Sequence, residues 1–138
     1  MIVDERITSY INSLNREDDD LLYEIETEAE SDGVPIIRRE TREWMKTMLL
    51  AVKPERILEV GTAVGFSAIF MSRYIGEQGH IVTIENWAPR VEKAVMNFER
   101  ANVSDRITLI EGDAGKVLAD MNDSFDFIFM DAAKGKGH

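Results

Sequence analysis

The chain has 138 residues, of which 44% are hydrophobic and 30% charged, and its formal net charge is −10. This balance suits one domain with a single core and disfavours a general nucleic-acid coat, because excess acid repels phosphate backbones. The absence of cysteine excludes disulfides, thiolate metal sites and a cysteine nucleophile. No apolar run is long enough to cross a bilayer and the first six residues lack a signal-peptide pattern, so we expect a cytoplasmic protein without a membrane partner.

The first 54 residues are predicted to form a cap of helices. A first helix is indicated by apolar residues at helical spacing, namely Ile7, Tyr10, Ile11 and Leu14. Two more helices are predicted over residues 18–31 and 38–51, and the acidic residues of the former are interpreted as a solvated face. The residues of the latter that we expect to be buried are Trp44, Met45, Met48 and Leu49.

After Pro54 the hydrophobic pattern alternates between strands and helices. Strands are predicted over residues 56–60, 80–85, 107–110 and 125–131. The helices between them are predicted at 67–75, from Pro89 onward with a buried stripe of Val91, Ala94, Val95 and Phe98, and at 116–121. Alternation of this kind is typical of a parallel sheet with helices on both faces. We predict an α/β, Rossmann-like, three-layer αβα fold with a helical cap (1–54), a four-stranded cofactor-binding half (55–133) and a tail (134–138).

The turn after the first strand is the most informative segment. Gly61 and Gly65 allow a tight turn that lets the backbone approach a ligand, and Ser67 places a hydroxyl at the start of the next helix. Ligands of open α/β sheets bind at the carboxyl ends of strands, so a nucleotide-like cofactor is the first hypothesis. The dinucleotide fingerprint has a glycine where this chain has Ala63, and a P-loop lysine is missing, which disfavours a nicotinamide or nucleoside triphosphate site. A purely structural turn is the alternative.

Acidic residues stand at or near the ends of the first three strands. Glu59 interrupts an apolar strand, and its carboxylate is interpreted either as a salt-bridge partner of the cap or as a group that recognises a cationic amino group. Glu85 lies at about the distance from the glycine turn at which an acid binds ribose hydroxyls. Asp113 is a candidate acceptor for an adenine amino group, although Gly-Asp is also common in turns.

A further acid follows the fourth strand. Asp131 is a candidate ligand for a divalent cation, and Lys134, three residues later, is a candidate base if its pKa is lowered. The same Asp-Ala-Ala-Lys sequence also fits an ordinary polar strand end, so spacing alone does not decide for a metal.

Taken together, these motifs resemble the class I S-adenosylmethionine-dependent methyltransferases. The likeness is to the cation-dependent O-methyltransferases, which include catechol and caffeoyl-coenzyme A O-methyltransferases and, among bacterial relatives, tRNA 5-hydroxyuridine methyltransferases. The matching segments are 34–37, 58–68, 84–85, 111–114 and 125–134. Each is weak alone, but together they cover nearly the whole chain.

The resemblance implies S-adenosylmethionine as the cofactor. The residues that it assigns to cofactor binding are Ile37, Glu59, Gly61, Ser67, Glu85, Asp113, Ala114 and Asp131. Glu59, Gly61, Ser67 and the backbone near Ile37 would surround the methionine end. Glu85 would bind the ribose, and the pair at 113–114 would bracket the adenine.

The resemblance also implies a metal-assisted reaction. Asp131 would be one ligand of Mg²⁺ or a similar cation that holds a hydroxyl of the methyl acceptor, and Lys134 would be the catalytic base. The acceptor is expected to be either a small phenolic or catechol-like molecule or a tRNA hydroxyuridine.

The resemblance implies a family fold of seven strands in the order 3-2-1-4-5-7-6, whereas this sequence supplies the first four. We therefore expect a chain shortened after the fourth strand and lacking the family's other metal ligands, which leaves open whether it is active. The fourth strand would then be an apolar sheet edge, which predicts a homo-oligomer formed through that strand. The alternative function is a non-catalytic, self-associating half-Rossmann fragment that at most binds the cofactor.

Overall fold

The computed structural model describes residues 20–130. The predicted first helix, Asp131, Lys134 and the predicted tail lie outside the described residues. The elements in chain order are α1 (20–31), α2 (Arg39–Val52), β1 (Arg56–Val60), α3 (Phe66–Ser72), β2 (His80–Glu85), α4 (Ala88–Arg100), β3 (Ile107–Glu111), α5 (Ala114–Asp120) and β4 (Phe127–Met130). Within this part of the chain, no helix is long and apolar enough to cross a membrane.

The four strands form one parallel sheet in the order β3-β2-β1-β4. From β1 the chain steps outward to β2 and β3, then returns to place β4 on the other side of β1. The direction of winding therefore reverses between β1 and β4, and open α/β sheets bind ligands at the carboxyl ends of strands beside such a reversal. This architecture confirms the predicted Rossmann-like class.

Helices cover both faces of the sheet. On one face, side chains from α1 to α4 pack on the sheet in a single core, represented by Ile25, Leu49, Ile69 and Phe98. On the other face, α5 packs against a smaller cluster of Leu58, Val82 and Ile84. Full burial of one such side chain contributes roughly 1.5–3 kcal/mol, so the larger core supplies most of the hydrophobic stabilisation.

Two residues predicted to be buried are exposed. Trp44 of α2 is 53% exposed and Val95 of α4 is 42% exposed. Each lies at the margin of its helix's apolar stripe, beside a residue that is fully buried, Met45 and Ala94 respectively. The Trp44 ring instead packs against the ring of Phe127 in β4, with the two ring centroids 6.5 Å apart.

The boundaries of β1 and β2 match the prediction, whereas later boundaries differ. Helix α3 ends at Ser72 and not at 75, and β4, described over Phe127–Met130, begins at Phe127 and not at 125. Asp126, predicted to lie inside β4, instead accepts hydrogen bonds from the backbone N–H groups of Glu55 and Arg56 at 3.0 and 2.8 Å. Its carboxylate thereby joins the start of β4 to the start of β1.

The interpretation of the acidic helix as a solvated face was partly wrong. Glu26 forms an ion pair with Arg42, and Glu28 lies 2.9 Å from Arg100 and 3.4 Å from Lys93. The hydrogen bond from Arg100 holds the pKa of the Glu28 carboxyl below its ordinary value. These acids therefore attach α1 to α2 and α4.

Candidate cofactor-binding site

The turn between β1 and α3 is built from left-handed backbone. Gly61, Ala63 and Gly65 have φ angles of 90°, 50° and 91°. The N–H groups of Gly61 and Thr62 both donate to the carbonyl of Ile84, at 2.9 and 3.2 Å, which fixes the turn against the end of β2. Ala63 thus adopts the left-handed conformation for which glycine is the usual choice, so the departure from the glycine fingerprint does not prevent a tight turn.

Glu59 is fully buried beneath this turn. Its carboxylate accepts hydrogen bonds from the Ser67 hydroxyl and from Thr83 Oγ1, the latter at 2.8 Å. Thr83 Oγ1 lies 2.6 Å from Thr62 Oγ1, which extends the network into the turn. A buried carboxylate with donors on two sides avoids much of the cost of desolvation. The Ser67 hydroxyl, predicted to face a ligand, points to Glu59.

Glu85 is the carboxylate that faces the turn most directly. It is 6% exposed, and its Oε1 accepts from the Ala63 N–H at 2.8 Å. Its Oε2 accepts from the N–H groups of Asn86 and Trp87, both at 3.1 Å. A carboxylate can accept about four hydrogen bonds. Because Oε1 accepts one of the three bonds and Oε2 two, the capacity to accept a further hydrogen bond lies chiefly on Oε1. The structure thus supplies a fixed negative group beside the turn.

Asp113 and Ala114 follow the neighbouring strand. Glu111, the last residue of β3, is in register with Glu85, so the two strand ends are adjacent. Asp113 is exposed, and its Oδ1 accepts a hydrogen bond from the Lys116 N–H at 3.0 Å. Asp113 thereby caps the N-terminus of α5, whose first residue is Ala114. The helix consequently begins two residues earlier than predicted. The structure thus shows Asp113 capping a helix, a role that was not predicted from the sequence, and adenine binding stays a prediction.

The loop over residues 34–38 lies on the other side of the turn. Its residues 35–37 face Thr62, Ala63, Phe66 and Ser67, and the space enclosed between them is about 10 Å³, so the loop rests directly on the turn. Ile37 is buried at 3% exposure. Ile37 therefore lies beside the turn, and its role at the methionine end of the cofactor stays a prediction.

Sequence reasoning missed four polar residues that shape this region, namely Arg42, Thr62, Thr83 and Asn97. Asn97 is fully buried in α4, and its Nδ2 donates to the carbonyl of Val64 at 2.7 Å. The contact of Thr83 with Glu59 could have been predicted from the sequence. Thr83 is the fourth residue of β2 and Glu59 the fourth residue of β1, and a parallel sheet places these two positions side by side. Asn97 gave a weaker signal, a polar residue inside the buried stripe of α4.

The predicted residues fall into three groups. Ile37, Glu59, Gly61, Ser67 and Glu85 come together around the turn after β1. Asp113 and Ala114 lie at the adjacent strand end. Asp131 and Lys134 are outside the described residues, and the part of the chain that is described holds no cluster of three or more His, Cys, Asp or Glu side chains that could bind a metal.

A second cavity, of about 440 Å³, lies between α1, α2 and α3. Its charged lining includes the cations Arg39, Arg42 and Lys46 and the acids Glu26 and Glu43. Because the opposite charges nearly balance, this surface does not provide the concentrated positive potential that nucleic-acid binding requires.

Comparison with known proteins agrees with this geometry. Residues 13–137 match the family model described as O-methyltransferase. The chain belongs to the O-methyltransferase family. It is 40% identical over 85 residues to the catechol O-methyltransferase of Mycobacterium tuberculosis, a match that covers 61% of this chain and 39% of the relative. It is 29% identical over 136 residues to the catechol O-methyltransferase of Niastella koreensis, covering 94% and 62% of the two chains.

Solved O-methyltransferases share the fold as well. The O-methyltransferase from Bacillus cereus in complex with SAH has a TM-score of 0.72 and 28% sequence identity, and the match covers 82% of this chain and 54% of that one. The family is S-adenosylmethionine-dependent, as the resemblance implied, and solved relatives are described in complex with SAH or SAM. The chain spans between 39% and 62% of the length of the two curated relatives described above.

Proposed function

We propose that this chain is the cofactor-binding part of an S-adenosylmethionine-dependent O-methyltransferase. The observation that carries the proposal is the Glu85 carboxylate, fixed by three backbone N–H groups and bonded to the turn after β1. A buried carboxylate at this strand end fits the hydroxyls of a ribose, and the left-handed turn fits close approach of a ligand to the backbone.

The residues present fit the cofactor's chemistry. S-adenosylmethionine supplies a methyl group that is activated by its positively charged sulfur. In the proposed complex, Glu85 accepts hydrogen bonds from the ribose, and Glu59 adds negative charge below the methionine end, which carries an ammonium group. Gly61 and the N-terminus of α3, at Ser67, contact the same end. Asp113 and Ala114 bracket the adenine.

The proposed function also includes a divalent cation and a base. Asp131 is the proposed ligand of Mg²⁺ or a similar ion and Lys134 the proposed base, and both rest on the sequence motif alone.

We propose a small phenolic or catechol-like molecule as the methyl acceptor. Two supports are the catechol O-methyltransferases among the relatives and the net charge of −10, which disfavours a polyanion. A tRNA hydroxyuridine is the competing acceptor. Incubating the chain with S-adenosylmethionine labelled in its methyl group, and with either catechol or tRNA that carries 5-hydroxyuridine, distinguishes the two acceptors by which of them takes up the label. The cytoplasmic location also stays a prediction.

Isothermal titration calorimetry with S-adenosylhomocysteine tests cofactor binding. We expect saturable binding by the natural chain and at least about tenfold weaker binding by Glu85→Gln, since a hydrogen bond to a charged group contributes roughly 1.5–3 kcal/mol. Glu99→Gln, an exposed charge change at the far end of α4, is the matched control and should bind as the natural chain does. Equal affinities for all three proteins would contradict the assigned role of Glu85.

The second candidate function is a non-catalytic, self-associating fragment that at most binds the cofactor. Its specific support is the exposed apolar strand β4, on which Ile128 and Met130 are 63% and 60% exposed. No heat of binding at millimolar S-adenosylhomocysteine, together with self-association, would favour this function over the first.

A further inference from the structure

Arg42 joins three separate elements at the edge of the cofactor site. Its Nε donates to the carbonyl of Ile37 at 3.1 Å, and its Nη2 forms an ion pair with Glu26 of α1. Its guanidinium carbon lies 4.7 Å from the centroid of the Phe66 ring, at the start of α3. The planar guanidinium permits all three contacts at once, which a lysine ammonium cannot reproduce.

The contact with Ile37 fixes the loop over residues 34–38 where it enters α2. This loop rests on the turn after β1, with residues 35–37 against Thr62, Ala63 and Ser67. The Phe66 ring lies under the guanidinium and also borders the same crevice. Arg42 therefore contacts both sides of this narrow space. It donates a hydrogen bond to Ile37 of the loop, and its guanidinium packs on the ring of Phe66 beside the turn.

We propose that Arg42 is a positioning residue for cofactor binding, one that holds the 34–38 loop against the turn; this inference rests on the proposed function. Because the loop already touches the turn, the methionine end of the cofactor must displace residues 35–36 when it binds between them. The hydrogen bond from Arg42 to Ile37 keeps the end of the loop that joins α2 in place. The displaced part of the loop can then close again over the ligand. Without that bond, the loop must be ordered during binding, and the entropy cost weakens affinity.

Glu26 supports this arrangement from α1. Both side chains of the Arg42–Glu26 pair are largely shielded, at 21% and 23% exposure, so solvent screens the pair less than it screens a surface ion pair. The acidic helix thus takes part in shaping the site through one specific residue.

Three variants separate positioning from simple stability. We expect Arg42→Gln to weaken binding of S-adenosylhomocysteine about tenfold in calorimetry. Arg42→Lys keeps the positive charge beside Glu26 but loses the hydrogen bond to Ile37. We expect it to be more thermally stable than Arg42→Gln but to bind S-adenosylhomocysteine as weakly as Arg42→Gln does. Arg39→Gln is the matched control, because it removes an exposed cation from the same helix and cavity edge, and should bind as the natural chain does.

The readout that decides is the dissociation constant, measured at a temperature at which all variants are folded. A stability role alone would lower the melting temperature of Arg42→Gln and leave its dissociation constant unchanged, and that result would overturn the inference. Tight binding by Arg42→Lys would overturn it as well. Failure of the natural chain to bind S-adenosylhomocysteine would instead contradict the proposed function, so the two failures are distinguishable.

Discussion

Gly65 is the residue at which the glycine turn is most tightly constrained. Its φ is 91°, and a Cβ placed on it would lie 2.7 Å from Cε1 of the Phe98 ring. Two separate costs therefore oppose any side chain there: the left-handed backbone and a collision with a ring that is itself buried. At Ala63, by contrast, the left-handed backbone carries a methyl group without preventing the turn.

Gly33 provides a matched control that separates the two costs. Its φ is 71°, and a Cβ there would meet no atom within 4 Å. We expect Gly33→Ala to lower the free energy of unfolding by about 1 kcal/mol, from backbone strain alone. Gly65→Ala should cost a further 1–3 kcal/mol or so, because the Phe98 ring has to move. Urea unfolding of both variants gives the comparison.

A double variant tests the cause at Gly65. If the ring is the obstacle, Phe98→Leu should recover part of the loss in the Gly65→Ala background, so that the two changes are not additive. Equal losses for Gly33→Ala and Gly65→Ala would show that the ring moves away at little cost.

Single residues show what sequence reasoning reaches and what it misses. Glu59, Gly61 and Glu85 were identified because charge inside an apolar strand, glycine in a turn and spacing along the chain are visible in the sequence. Asn97 was missed because its partner is a single carbonyl 33 positions away, brought close only by the packing of α4 on the turn. Contacts of this kind depend on tertiary geometry and leave little local pattern.

At the scale of elements, α3 illustrates a different limit. All seven of its residues are buried, so the helix has no polar face and no hydrophobic period from which to judge where it ends. The predicted end at 75 was wrong for that reason. In β1 and β2 the flanking Pro54, glycine turn and Gly79 gave clear limits, and the predicted bounds agree with the structure.

Asp126 adds two side-chain hydrogen bonds to the backbone pairing of β4 with β1. Its two oxygens accept from the N–H groups of Glu55 and Arg56, and these bonds, the first from Glu55, hold the pKa of the Asp126 carboxyl below its ordinary value. A carboxyl whose pKa is lower when folded stabilises the fold above the pKa of the unfolded state, about 3.9, and loses this effect as the pH falls through its lower folded value.

We therefore expect Asp126→Asn to lower the free energy of unfolding at pH 7 by about 1 kcal/mol, a modest value because the carboxylate is exposed. The difference between the natural chain and the variant should narrow as the pH falls below about 4. Urea unfolding across this pH range checks the slope. Asp123→Asn, which removes an exposed carboxylate 3.7 Å from Arg56, is the control and should change little. A difference that is independent of pH would contradict the role given to the charge.

At the scale of the whole molecule, the site follows from the order of the strands. The reversal between β1 and β4 leaves the turn after β1 at the centre of the sheet's carboxyl edge, and β2 brings Glu85 to it from the adjacent strand. The strand order cannot be read from the alternation of elements, because the same alternation fits several orders of a parallel sheet. The family resemblance provided that order, and the structure confirms it for the four strands described.

The outer side of β4 is the surface on which self-association is proposed. Among the described residues, β4 pairs with β1 and stands at the edge of the described sheet. Ile128 and Met130 are exposed on one face of the strand, while Phe127 meets Trp44 on the other. An apolar edge of this kind favours pairing with another strand, and a second copy of the chain offers an identical one across a two-fold axis.

Sedimentation velocity over a concentration series tests this proposal. We expect the natural chain to form a dimer and Ile128→Lys to shift it to monomer, because a charge at the edge strand opposes pairing and desolvation. Val95→Lys places the same charge on an exposed apolar position of α4 and should leave the dimer intact. A natural chain that sediments as a monomer at every concentration would contradict association through β4. Dissociation by both variants would indicate instead that net charge, and not this edge, controls assembly.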